Sequence, residues 1–154
     1  YVGVAKLGDK VFVVGGWDPE AKGSGGTFKD EVWSLNPDEL TWSPCNKLPC
    51  GPISRHTTVT VGDSIIVHTF KPDEEGLVVL KSDGTSHVQA TTGEAPVGLS
   101  MCSAAALNDH QMLLFGGSTK TQQMSNDVYL LDTKSWNWTK LQSAGDIPPP
   151  RASS

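Results

Sequence analysis

The 154 residues carry 12 Lys and Arg against 17 Asp and Glu, for a formal net charge of −5. The chain therefore lacks the basic excess with which proteins meet nucleic acid or anionic membranes. It has no polybasic run, no apolar stretch of the ~18 residues that a bilayer demands, and no charged-then-apolar leader-like start. With 37% hydrophobic residues, 16 glycines and 10 prolines, it is long enough to bury a sizeable core, and the Gly and Pro content points to an all-β class rich in turns.

The first predicted strand is Tyr1 to Leu7, alternating and small at Gly3 and Ala5. A Gly8-Asp9 turn leads into Lys10 to Gly16, whose apolar run Val11-Phe12-Val13-Val14 stops at Gly15-Gly16. Such a run reads as a strand buried on both faces and then turned sharply. The loop from Trp17 to Asp30 holds Gly23, Ser24, Gly25 and Gly26. It is not a phosphate cradle, because a cradle should open a helix, and here a strand with Trp33 follows. Trp17, directly after the double glycine, is open to two readings: an interface anchor, or a local lid on the end of the strand. Trp33 and Trp42 flank a turn and mark a hairpin. The turn Gly51-Pro52-Ile53-Ser54-Arg55 closes the first unit.

From Arg55 the pattern begins again in degraded form. Arg55 to Val61 is a strand entered from a proline turn, and Gly62-Asp63 is a turn. Ser64 to Val67 is the apolar run, with His68-Thr69 at the double-glycine position, and Leu77 to Leu80 with the turn Asp83-Gly84 supplies the hairpin. His87 is expected where Trp42 stands in the first unit, and Met101 where Arg55 stands. The neighbours Arg55 and His56 invite a catalytic reading. An arginine recurs at Arg151 without a histidine, however, so a repeated structural role is preferred. The acidic run Asp73-Glu74-Glu75 reads as a solvated turn, too sparse in oxygen ligands for calcium.

The third unit restores the signature. Cys102 to Leu107 is read as a strand despite its alanines, because it is too short to stand as a helix. Met112-Leu113-Leu114-Phe115-Gly116-Gly117 follows the first such run by 101 residues. Then come the polar run Ser118 to Asn126 with Gln122 and Gln123, Tyr129 in the place of Trp33, and Trp138 in the place of Trp42. The two aromatics are nine residues apart in both units, and an arginine follows thirteen residues after each second tryptophan, at Arg55 and Arg151. The cysteines, Cys45, Cys50 and Cys102, are odd in number in a chain that needs no disulfide staples. A reducing, cytoplasmic setting is the expectation. The pair Cys45 and Cys50 finds no second pair of ligands at zinc spacing, so free thiols, and no metal or cofactor, are expected.

An apolar strand, Gly-Gly, a variable loop, Tyr or Trp, a turn, Trp, and a proline-bearing turn into Arg together resemble the kelch repeat. The 101-residue separation is twice that repeat's ~50-residue period, with the degraded unit between. The resemblance implies a kelch-type β-propeller with three four-stranded blades: residues 1–54, a degenerate blade at 55–100, residues 101–150, and the start of a further blade at 151–154. Small residues on the inner strands and large aromatics on the outer ones suit blades that diverge from an axis. Three blades fall short of the roughly four to eight that close a ring, so a fragment is expected, with the rest of the propeller needed for closure.

The resemblance also implies a non-catalytic scaffold or adaptor that binds a protein or peptide partner on one face. That face would be made by the loops Trp17 to Asp30, Phe70 to Gly76 and Ser118 to Asn126 and the turns ending at Arg55, Met101 and Arg151. Trp17, Arg55, His56, Gln122, Gln123 and Arg151 are the candidate contacts. Gly15, Gly16, Gly116, Gly117, Trp33, Trp42, Tyr129 and Trp138 are given structural roles, the tryptophans as wedges packed between blades. The competing class is a kelch-like oxidase or sugar-modifying enzyme whose active site lies in other blades.

Overall fold

A computed structural model of the protein describes residues 1–20, 25–69 and 76–152. Every regular element among them is a strand: β1 (Gly3–Leu7), β2 (Lys10–Val14), β3 (Trp17–Asp18), β4 (Thr27–Phe28), β5 (Val32–Asn36), β6 (Thr41–Pro44), β7 (Thr57–Val61), β8 (Ser64–His68), β9 (Gly76–Lys81), β10 (Ser86–Ala90), β11 (Thr92–Gly93), β12 (Ser103–Ala106), β13 (Gln111–Phe115), β14 (Val128–Asp132) and β15 (Asn137–Leu141). Twelve of these form three antiparallel meanders, ordered β1-β2-β5-β6, β7-β8-β9-β10 and β12-β13-β14-β15. They are the three blades, and they do not close a ring. Two short additions were not foreseen. β3 and β4 form a small separate hairpin, and β11 joins the third blade as a parallel fifth strand outside β15.

The innermost strands β1, β7 and β12 lie side by side, with β7 in the middle. Their side chains must be small for a physical reason. A Cβ on Gly3 would run into the Thr58 hydroxyl and come within 2.7 Å of His56 Nε2. The same strands are laced by hydroxyls, Thr60 Oγ1 donating to the Lys6 carbonyl and Thr57 Oγ1 to the Cys102 carbonyl at 2.7 Å.

Alternation along each strand sends successive residues to opposite faces, and the faces pack in two seams. In the first, Phe12, Val14 and Val32 of blade one meet Ile65, Val67, Val78 and Leu80 of blade two, with Leu48, Cys50 and Ile53 of the connector tucked between. In the second, Val61, Ile66, Leu77 and Val79 of blade two meet Met112, Leu114, Tyr129, Leu131 and Trp138 of blade three. Trp138 is 2% exposed and stands edge-on to His68 (centroids 6.2 Å apart) and to Tyr129 (6.4 Å).

Three expectations change here. Trp42 occupies the register of Trp138, since Leu35 pairs with Trp42 as Leu131 pairs with Trp138. Yet Trp42 is 54% exposed and Trp33 is exposed as well, because no sheet among the described residues lies against that face of blade one. In the middle blade the outer position opposite Leu80 belongs to Ser86, not His87. A one-residue shift puts His87 on the other face and leaves it exposed. The double-glycine position is shifted likewise. Ile65 pairs with Leu80 as Val11 pairs with Leu35, so His68 stands in the place of Val14 and Thr69 in that of Gly15.

His68 is buried in the second seam, and desolvation pulls its pKa from 6.5 down to about 4, against a hydrogen bond to the Pro96 backbone. Burial thus keeps the imidazole neutral. The unfolded chain binds the extra proton between those two values, so this contribution to stability is complete above pH 6.5 and is lost as pH falls from 6.5 toward 4. Wild type should lose about 2 kcal/mol more than His68→Gln on moving from pH 7.5 to about pH 5, measured from urea midpoints. Parallel loss in both proteins would place the pH dependence elsewhere. Trp138→Ala should cost about 3–5 kcal/mol in the same assay, whereas Val97→Ala, at an exposed position, should stay within about 0.5 kcal/mol.

Candidate functional site

The two intact double glycines organise one end of the blades by the same three-bond pattern. In blade one Gly16 N donates to Ile53 O (2.9 Å), Lys29 N to Gly16 O (2.9 Å) and Ile53 N to Lys29 O (3.0 Å). In blade three Gly117 N donates to Arg151 O (2.9 Å), Ser125 N to Gly117 O (2.9 Å) and Arg151 N to Ser125 O (3.0 Å). Each triangle ties the end of the second strand, the returning loop and the turn to the following blade at one point. All four glycines are left-handed, with φ of 58°, 121°, 70° and 101° for Gly15, Gly16, Gly116 and Gly117. There is also no room for a side chain: a Cβ on Gly117 would lie 2.5 Å from Cys102 Sγ and 2.9 Å from Ser100 O.

The triangles correct the reading of Arg151. Its backbone partners are those of Ile53, so Arg151 corresponds to Ile53, two residues before Arg55 in the first turn. Its side chain turns back to donate from Nε to Pro149 O at 3.1 Å. The true equivalents of Arg55, counted from the strand registers, are Met101 and Tyr1, each two residues before the innermost strand. Arg55 and Met101 share a strained left-handed backbone, φ 59° and 56°, and Met101 N donates to Arg55 O at 2.9 Å.

These equivalent positions line one cavity of about 670 Å³. Tyr1, Arg55 and Met101 contribute one from each blade. Phe28 comes from the first loop, Pro52, Ile53 and Ser54 from the first turn, Ser100 from the second, and Ser118, Thr119, Lys120, Gln122 and Met124 from the third blade's loop; Thr69 enters from the middle blade. The lining mixes apolar side chains with hydroxyls, and Arg55 within it is exposed. Ser118 is pinned by a reciprocal pair with Ser100, N to O at 2.8 and 3.0 Å. Thr119 turns the tip of its loop by bonding to Gln122 and Gln123, with Gln122 (φ 62°) in the lining.

The six candidate contacts separate. Arg55 and Gln122 line the cavity, while Gln123 and Arg151 stand exposed outside its lining. Trp17 is also outside it. Trp17 pairs with Phe28 and lies over Gly26, where a Cβ would collide with its indole ring, so it braces the β3–β4 hairpin that presents Phe28. A salt bridge between Lys29 and Asp18 at 3.0 Å holds the same hairpin, lowering the Asp18 pKa and raising that of Lys29. His56 points inward. Nε2 donates to Val14 O at 2.9 Å, and burial lowers its pKa despite that bond. Gly23, Ser24 and the loop from Phe70 through Glu75, with its acidic run, lie outside the described residues. The apolar lining, Tyr1, Phe28 and Met124, was not singled out in the sequence. Tyr1 was legible through its offset from Gly3, the same as that of Arg55 from Thr57.

Comparison with known proteins agrees with this architecture. Residues 72–154, 83 of the 154, match the family model described as the KLHDC2/KLHL20/DRC7 Kelch-repeats domain, and residues 1–49 match the Kelch motif. The chain is 26% identical over 148 residues to acyl-CoA-binding domain-containing protein 4 of Arabidopsis thaliana, covering 88% of this chain and 22% of that protein. It is 30% identical over 105 residues to dynein regulatory complex subunit 7 of Chlamydomonas reinhardtii, covering 62% and 9%. It is 25% identical over 168 residues to acyl-CoA-binding domain-containing protein 6 of Oryza sativa subsp. japonica, covering 97% and 24%. The chain thus spans less than a quarter of the length of these relatives. A solved structure described as the structure of YjhT superposes with a TM-score of 0.77 at 16% identity, over 98% of this chain and 53% of that one.

Gly117→Ala should cost at least about 2 kcal/mol, because left-handed strain adds to the collision with Cys102 and Ser100. Gly8→Ala is the control. It too has positive φ, 62°, but nothing within 4 Å of the added Cβ, so a cost near 1 kcal/mol is expected from backbone strain alone. Equal urea midpoints for the two variants would show that the crowding around Gly117 is without weight.

Proposed function

The chain belongs to the kelch-repeat family of β-propellers, and from that premise we propose that it is a protein-interaction module, the recognition part of a scaffold or adaptor. It takes a peptide segment of its partner into the cavity of Tyr1, Arg55 and Met101. The observation that carries the reading is convergence: all three blades send equivalent positions to one hollow, and the most divergent segments of the repeat surround it. Rigid strands carrying variable loops are the usual ground of recognition. Apolar side chains supply buried area, and the backbone and hydroxyl groups of Ser100, Ser118 and Thr119 supply directional bonds for a peptide. Arg55 adds an exposed planar donor set, and arginine is enriched among residues that dominate binding.

The composition of the lining also favours recognition over turnover. The described lining contains serines and threonines but no Asp, Glu, His or Cys, the side chains that most often activate a hydroxyl. His56, next to Arg55 in the chain, is committed to the Val14 carbonyl. One relative is named as a subunit of a larger complex, in keeping with protein partners. Cys45, Cys50 and Cys102 form no disulfide among the described residues, in keeping with work in a reducing, cytoplasmic setting, and burial pushes the Cys102 thiol pKa up to about 12.

The test is selection of binders from a phage-displayed random peptide library, with affinities measured by fluorescence polarisation. Arg55→Ala and Met124→Ala should each weaken a selected peptide about tenfold or more, or ~1.4 kcal/mol. Trp17→Ala, outside the lining, should change affinity less than about twofold on the same scale. Peptides insensitive to both cavity changes would refute the site. A hydrolytic or isomerising turnover abolished by Arg55→Ala would move the reading to the enzyme class.

A further inference from the structure

The two connectors between blades treat the outer edge of the blade they enter differently. After β10 the chain crosses to blade three and lies parallel to β15 as β11. Thr92 N donates to Trp136 O and Glu94 N to Trp138 O, both at 2.9 Å, and the Glu94 carboxylate accepts from Lys140 N at 3.0 Å. Three backbone groups that the ladder leaves facing outward are satisfied in this way. Gly93, between the two donors, has φ 83°, and a Cβ there would collide with the Trp138 carbonyl oxygen.

The connector into blade two makes no such strap. Cys45 N donates to Val32 O at 2.9 Å and Leu48 N to Asp30 O at 2.8 Å, both groups of blade one. Leu48 follows Trp42 by the same interval as Thr92 follows Ser86, and it is buried in the first seam. Blade two has a neighbouring blade on either side, yet its outer edge is left bare. Lys81 N donates to Thr85 O at 2.9 Å. With Thr85 turned toward β9, alternation turns His87 and Gln89 the same way and Ser86, Val88 and Ala90 outward. Gln89 Nε2 covers the Ala90 carbonyl at 3.0 Å. Among the described residues nothing bonds the outward Ser86 O and Val88 N. By register these two residues stand where Trp138 and Lys140 stand in blade three, and Val88 is 44% exposed. Bare edges are commonly blunted by lysine or proline, and β10, Ser-His-Val-Gln-Ala, contains neither.

We propose that β10 is a strand-addition site for a partner protein, which lays an extended segment parallel to it with a glycine followed by Asp or Glu. The backbone N–H of the acidic residue donates to Ser86 O, and its carboxylate accepts from Val88 N. The occupant is argued from the chain itself, because Gly93 and Glu94 make this same contact on the equivalent groups of blade three. A second copy does not supply the segment, since its own 92–94 stretch is engaged on its β15. Main-chain bonds give such an added strand its affinity and side-chain requirements its specificity. Here the requirements are a residue without a Cβ at the crossing and a carboxylate that forms a charge-assisted bond. No residue of β10 lines the peptide cavity, so the edge is a second and separate contact.

The test uses the full-length protein and a fluorescein-labelled peptide, Ala-Thr-Thr-Gly-Glu-Ala-Pro, copied from residues 90–96, with affinity read by fluorescence polarisation. Saturable binding with a Kd below about 1 mM is expected. Val88→Pro removes the outward N–H at an edge position that tolerates proline, and should weaken binding about tenfold or more. Val88→Thr keeps the N–H and should retain it. A peptide with Gly93→Ala should also lose about tenfold or more, a result that holds even if Val88→Pro does not fold. A benzophenone carried by the peptide should crosslink within residues 84–90. No saturation by about 5 mM, affinity unchanged by Val88→Pro or by Gly93→Ala, or crosslinks on β15 or in the cavity would each overturn the proposal. So would self-association of the peptide-free protein that Val88→Pro abolishes, which means that β10 pairs with another copy.

Discussion

The arrangement rests on a backbone contact that only glycine permits. At Gly16 and again at Gly117, three pieces of chain distant in sequence exchange three amide hydrogen bonds around one residue in a conformation that side chains resist. If this junction is lost, the returning loop, the turn to the next blade and the second strand part company. It lies at the end of the sheet, where ladder bonds run out and buried amides need other partners. The variable loops can therefore differ in length and chemistry without disturbing the blades, because their ends are fixed by bonds that involve no side chain. The functional consequence is a rim that can change sequence on a frame that does not.

How much of this was legible in the sequence follows from what each signal measures. Double glycines and paired aromatics report local geometry, so the four-strand plan of blades one and three was readable from their offsets. The middle blade lacks both marks, and without them the register slipped by one. His87 was placed where Ser86 stands, and His68 where Thr69 stands. Apolar runs such as Ser64 to His68, buried along their whole length, carry no alternation from which a register could be read. Arg151 was matched to Arg55 by distance from a tryptophan, but the connectors between blades differ by two residues, so its counterpart is Ile53.

Burial was the other quantity hidden from the sequence. Trp42 and Trp138 hold the same place in their sheets, yet one is on the surface and the other sealed. Register is a property of a blade, whereas burial belongs to the pair of blades that share a seam. The candidate site shows the same division. Arg55 and Gln122 were recognisable as loop residues, but Phe28 and Met124 join them only because two loops from non-adjacent blades lean over the same hollow.

The strand β11 has a consequence for how the molecule opens. Thr92 N donates to Trp136 O and Glu94 N to Trp138 O, both at 2.9 Å, while the Glu94 carboxylate accepts from Lys140 N at 3.0 Å. The chain leaving the middle blade is thus fastened to the outermost strand of the next one before it returns to the centre. The amides of Trp138 and its neighbours cannot exchange with solvent by simple fraying of an outer edge, because that edge is occupied by chain anchored in another blade. Deuterium should then enter β14, β15 and the 92–94 segment together and late, as one cooperative unit. The outer strand of the middle blade, β10, has no such fastening among the described residues and should take up deuterium early, so blades of one repeated design differ in lifetime.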